Sequence, residues 1–201
     1  MHFEVLVEEL SAKCVLDTLL PKIIGEDHGF SVHSFRGKQD LLSKLPSRLK
    51  GYSRWLPPDY RIVILVDRDN DDCRELKQRI VDVVRETGLE TRSLVRIAVE
   101  ELEAWFFGDV PALRTVYPRI SLHLERRTGF RDPDAIQGGT WEALDRILKQ
   151  AGYAEGLASK TEAAKNVSRH MDPGSNRSYS FQVFCRGIHT LLAGRDNVGG
   201  R

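Results

Sequence analysis

Residues 61–72 read RIVILVDRDNDD, and this stretch constrains the fold more than any other. An unbroken Val/Ile/Leu run without polar alternation is a strand buried on both faces, the habit of parallel sheets in α/β proteins. Four aspartates follow within six positions: Asp67, Asp69, Asp71 and Asp72. Asp67 and Asp69 are two apart, so in extended backbone their carboxylates point the same way. Ligands of parallel sheets bind at the C-terminal strand ends. Crowded like charges repel and raise each other's pKa unless a cation sits among them. Oxygen donors without nearby Cys or His favour Mg²⁺ or Mn²⁺ (or Ca²⁺) over zinc. A divalent-metal site at a strand end is therefore expected.

The surrounding pattern supports such a sheet. Strands are expected at 3–7, 30–35 and 93–99, besides the aspartate strand. Helical spacing predicts a helix capped by Ser11 and ending at Gly25, another over 38–50, one over 72–87 stopped by Gly88, and one over 100–108. Residues 51–59 (GYSRWLPPD) read as a loop, broken by Pro57 and Pro58. Tyr52 and Trp55 beside Arg54 make it a candidate nucleic-acid contact. Repeated strand–helix alternation gives an α/β class with a mostly parallel four-stranded sheet and helices on its faces. From residue 110 the texture changes, with helices expected over 141–151, 159–171 and 179–192. The division expected is an α/β core at 1–109, a helical extension at 110–193 and a flexible tail at 194–201.

Acids far apart in sequence end three of these strands: Glu8/Glu9, Asp67/Asp69/Asp71 and Glu100/Glu101/Glu103. In a parallel sheet those ends share one edge. Helix N-termini attract Asp and Glu through the macrodipole, which accounts for Glu9, Asp72 and Glu100. It accounts poorly for Asp67 and Asp69, which directly end an apolar strand. On a continuous helix Glu101 and Glu103 would lie on different faces, and Glu103 is taken as the inward one. Trp105, Phe106 and Phe107 read as core. The six histidines show no ligand spacing.

Composition narrows the partners. The net charge of +1 over 201 residues gives no global basic field, though local patches can still meet nucleic acid. Three widely spaced cysteines (Cys14, Cys73, Cys185) do not form a disulfide framework, so a reducing cytoplasm is expected. The first residues carry acids inside their apolar run, unlike a signal peptide, and no stretch is apolar enough for a membrane span. An EF-hand is rejected: Asp72 stands for its glycine and Gln78 for its last ligand. A haloacid-dehalogenase-like motif fits less well, with Asp71 in its last position. No dinucleotide or P-loop glycine motif is present.

LVE at 6–8 and ILVDRD at 64–69 resemble the TOPRIM fold, the catalytic domain of topoisomerases, primases and OLD-type nucleases. VEELSA (7–12), DRDND (67–71), ELEAW (101–105), the SK…AAK stretch (159–165) and the SF pair (180–181) look like an uncharacterised bacterial TOPRIM-like family of similar length. Glu9 stands where that family usually has glycine, and Ala12 where it has an acid. The resemblance implies a three-layer α/β/α core and Mg²⁺- or Mn²⁺-dependent phosphoryl transfer on nucleic acid, as a nuclease in phage defence or DNA repair. It implies Glu8, Asp67, Asp69 and Asp71 as metal ligands, Glu8 as ligand or acid/base, Glu103 as a further acid, and Lys160 as positive charge for a phosphate. The alternative it leaves open is an inactive binding module acting with a separate ATPase partner.

Overall fold

The computed structural model describes residues 1–153, 156 and 159–194. Strands β1 (His2–Val7), β2 (Gly29–Ser34), β3 (Tyr60–Asp67) and β4 (Ser93–Ala98) form one sheet in the order β2-β1-β3-β4. Every pairing is parallel, with Val7 opposite Leu65 and Asp67 opposite Ala98.

Period-two alternation divides β3 between two cores. Val63 and Leu65 join Phe3, Val5 and Val7 on one face, against helix α1 (Leu10–Ile24). Ile62, Ile64 and Val66 join Leu6 on the other face, against α2 (Lys38–Trp55) and α3 (Cys73–Arg85). The result is a three-layer α/β/α sandwich. Asp72 caps α3, accepting from the amides of Arg74 and Glu75 at 2.9 Å.

Two local expectations are corrected. Ser11 does not cap α1: Glu9 takes that position, and Ser11 lies buried inside the helix, its hydroxyl donating to Glu9 Oε1 at 2.6 Å. Helix α2 does not stop at Lys50 but runs to Trp55, because Tyr52 continues the buried stripe of Leu41, Leu45 and Leu49. Tyr52 is 2% exposed and donates to Glu4 Oε2 at 2.9 Å, so it offers no stacking surface; Trp55, 62% exposed, does.

The later helices are α4 (Ala104–Gly108), α5 (Val110–Val116), α6 (Thr140–Gln150), α7 (Lys160–Ser168) and α8 (Tyr179–Leu192). Their apolar residues join the core on the α1 side: Leu113, Leu144, Val167 and Phe184 pack in one cluster with Phe3 and Leu16. Trp105, Phe106 and Phe107 are buried there as expected. Trp105 Nε1 donates to Ser180 Oγ at 2.9 Å, and Ser178 caps α8 by accepting from Phe181 N at 3.1 Å. No described helix is long and apolar enough to cross a membrane. The tail expected to be mobile lies, from 195 onward, outside the described residues.

Gly108 holds α4 against the loop before α8. A Cβ there would stand 2.0 Å from Asn176 Oδ1 and 2.8 Å from the backbone nitrogen of Ser178. Backbone cannot swing aside as a side chain can. Gly108→Ala is expected to destabilise the fold by about 1–3 kcal/mol, read as a lower urea midpoint.

Candidate active site at the sheet edge

The strand order creates a switch point. From β1 the chain leaves through α1 toward β2; from β3 it leaves through α3 toward β4, over the opposite face. Beyond the C-terminal ends of β1 and β3 the two connections diverge and leave a crevice. Glu8 follows β1 and Asp67 ends β3, so both sit at that crevice.

The structure joins them. Glu8 Oε1 accepts a short hydrogen bond from the backbone N–H of Asp67. Glu8 is 8% exposed, and burial pushes its carboxyl up to about 7, against the pull of the Asp67 amide and of Lys38. Asp67 is half-buried as a residue, yet its carboxyl is raised well above the usual range, first by desolvation, then by the charges of Glu103, Glu8 and Asp69.

The loops after β3 and β4 are zipped together. Arg68 N donates to Ala98 O at 2.9 Å, and Asp69 N to Glu100 O at 3.1 Å. The Arg68 guanidinium pairs with Glu100. Asp69 and Glu100 are the non-glycine residues at positive φ among the described residues, at 48° and 64°. Left-handed backbone is unfavourable for these side chains and persists where neighbours over-determine it, as at functional sites.

Residues 100–103 are not helical, contrary to the expected helix over 100–108; α4 begins at Ala104. The positive φ of Glu100 breaks the helical path, and with it the argument that separated Glu101 from Glu103. Lys160 Nζ lies 3.9 Å from Glu101 Oε1 and 3.8 Å from Glu103 Oε1, and 3.7 Å from Glu9 Oε1. The two carboxylates are still used differently. Glu101 Oε2 accepts from Thr140 N and Oγ1 at 2.8 Å and from Trp141 N at 3.1 Å, capping α6. Glu103 is 1% exposed and its Oε2 has no hydrogen-bond partner. Burial lifts Glu103 to about 7, and Lys160 opposes the rise.

Asp69 and Asp71 turn outward to a residue that the sequence reading did not single out. Lys38 Nζ lies 2.8 Å from Asp69 Oδ2 and 2.7 Å from Asp71 Oδ2. Its signal was available: it follows Gly37 just beyond β2, on the same sheet edge as the acids. Asp71 is exposed, and Lys38 holds its carboxyl below the usual value. An open cleft of about 410 Å³ adjoins them, lined by Arg36, Gly37, Lys38, Gln39, Asn70 and the two aspartates.

Lys160 therefore meets carboxylates, with the Trp141 ring 5.8 Å away. Glu9, where glycine was expected, has extended backbone (φ −144°, ψ 170°), so the position demands no glycine. Ala12 is buried in the core. Arg177 lines a different cleft of about 540 Å³ with Arg114 and Glu125.

The donor set at the crevice is all oxygen, and a buried carboxylate oxygen there lacks any partner, which suits a hard cation. Among the described residues, however, no three acid, His or Cys side chains already stand as a metal cage. Lys38 and Lys160 hold part of the set.

Fold and site together define a parallel α/β protein whose ionisable groups gather at the sheet's switch point. A family model described as a domain of unknown function (DUF4276) matches residues 7–189, from the end of β1 into α8, and the chain belongs to that family. No curated protein and no solved structure matches it.

Proposed function

We propose that this chain is a TOPRIM-like, divalent-metal-dependent enzyme acting on the phosphodiester bonds of nucleic acid, most simply a nuclease. One observation carries the reading: the buried carboxylate of Glu103, with one oxygen that has no partner, lies at the sheet edge where Glu8 accepts from the Asp67 amide, and burial raises the proton affinity of all three acids. Negative charge gathered out of water without full compensation is costly, and a cation relieves it.

Glu8, Asp67 and Asp69 would hold Mg²⁺ or Mn²⁺, with Glu103 closing the buried side. The bound ion would supply Lewis acidity toward a phosphoryl oxygen and a more acidic water. Glu8 would serve either as a ligand or as the acid/base that moves the proton of the attacking water. Lys160 balances Glu103 and keeps the acids in place. Arg36 at the neighbouring cleft would supply positive charge for a phosphate backbone.

The hold of Lys38 and Lys160 on the acids favours a second reading, a metal-free module that binds a partner such as an ATPase. A thermal melt separates the two. Free metal at 100 times its Kd stabilises by about 2.7 kcal/mol, and for a chain of this length that is a rise of about 5–10 °C. Mn²⁺ and Mg²⁺ are expected to give that rise and to support cleavage of plasmid or single-stranded substrate, with none in EDTA. No shift with either ion would remove the metal reading. A shift without cleavage would favour the binding module.

A further inference from the structure

We propose that Lys38 serves as a built-in second cation, so that this edge takes one divalent ion rather than a pair. The inference rests on the metal reading above and deepens it.

The loop after β3 wraps the Lys38 ammonium as a loop wraps a cation. Asp69 Oδ2, Asp71 Oδ2 and the carbonyl of Arg68 lie at 2.8, 2.7 and 3.1 Å from Nζ. An ammonium has three N–H donors, and these acceptors use all of them. The side chain is only 10% exposed. Lys38 is also the first residue of α2, where the helix macrodipole disfavours positive charge. The aspartates overcome that penalty.

Its placement relative to Glu8 is fixed by backbone. Gly37, at φ 97°, donates its N–H to Glu8 O at 2.8 Å. The cation and the inner acids therefore share one rigid frame. A divalent ion between Asp69 and Asp71 would have to expel a fully hydrogen-bonded ammonium. An ion at Glu8 and Asp67 would not, and could still use the other oxygen of Asp69. Two-cation phosphoryl chemistry needs charge on both sides of the reacting group. Lys38 holds the place of the second of those charges between the outer aspartates, without coordination chemistry.

Mn²⁺ binding, measured by calorimetry and by the loss of free-ion resonance signal, tests this. Wild type is expected to take one ion per chain, and Lys38→Arg also one. Lys38→Met frees the two aspartates and is expected to take two. Lys38→Met combined with Asp67→Asn is expected to keep one, now on the outer aspartates. If Lys38→Met does not fold, Asp71→Asn decides the matter. Asp71 is a partner of Lys38 and not of the ion, so its Kd for Mn²⁺ is expected to change less than about threefold. Two ions in wild type, one ion at unchanged affinity in a folded Lys38→Met, or a loss of about tenfold or more in Asp71→Asn overturns the proposal. If wild type takes no Mn²⁺, the metal reading itself falls and takes this inference with it; the other negative outcomes leave that reading standing.

Discussion

Asp67→Asn is expected to make the metal-free protein more stable and the enzyme inactive. Both effects come from one carboxylate. In the free protein Asp67 is surrounded by Glu103, Glu8 and Asp69, with desolvation the largest cause of its raised pKa. An amide of nearly the same shape removes that repulsion. A gain of about 1 kcal/mol or more follows, roughly 2–4 °C at this chain length. The Glu8 carboxylate loses nothing directly, because it accepts from the backbone N–H of Asp67 and not from its side chain. The metal-induced rise in melting temperature should vanish in the variant. Cleavage should fall by more than about 100-fold, since even outer-shell changes at metal sites cost 10–100-fold. Melts with and without Mn²⁺, beside a cleavage time course, give all three readouts. Cleavage equal to wild type would remove Asp67 from the chemistry. A metal-free variant less stable than wild type would show that the acid cluster is not under electrostatic stress.

The second large effect concerns pH. Glu8 and Glu103 sit near 7 in the folded chain, against an ordinary value of 4.5. Below pH 4.5 both are protonated whether the chain is folded or not, so neither affects stability there. Between 4.5 and 7 the unfolded chain loses these protons while the folded chain keeps them. The folded state then binds more protons, and stability falls as pH rises through that window. Above 7 the loss is complete. For these buried groups it is on the order of 2–3 kcal/mol each. Glu103→Gln cannot ionise and should lose its own share of the slope, leaving that of Glu8 and of the likewise raised Asp67, read from urea midpoints across the window. Saturating Mg²⁺ should reverse the slope in wild type, because a cation favours the ionised carboxylates. A wild-type midpoint that rises from pH 4.5 to 7 without metal would show that these acids are already neutralised.

Much of the sheet was legible because its signals are local. The β3 run predicts a doubly buried strand, and its residues do divide between two cores. The meeting of Glu8 and Asp67 follows from topology: parallel strands put their C-terminal ends on one edge. Their roles in chemistry are a matter for the experiments above. What could not be read depended on single dihedral angles and distant partners. Nothing local announces a left-handed Glu100, yet that residue decides whether Glu101 and Glu103 diverge or meet at Lys160. The extra turn of α2 was hidden by Gly51, a poor helix former, whose cost is outweighed by the burial of Tyr52. The position of Lys38 just after β2 puts it on the acid edge, but its residue type is that of any lysine opening an amphipathic helix. Only the folded loop shows that its ammonium has three acceptors waiting.

Lys160 enters the site from α7, more than ninety positions after Asp67 in the polypeptide. During synthesis the acids at the ends of β1, β3 and β4 emerge long before their counter-charge. A nascent fragment therefore carries the carboxylates with no lysine to steady Glu103.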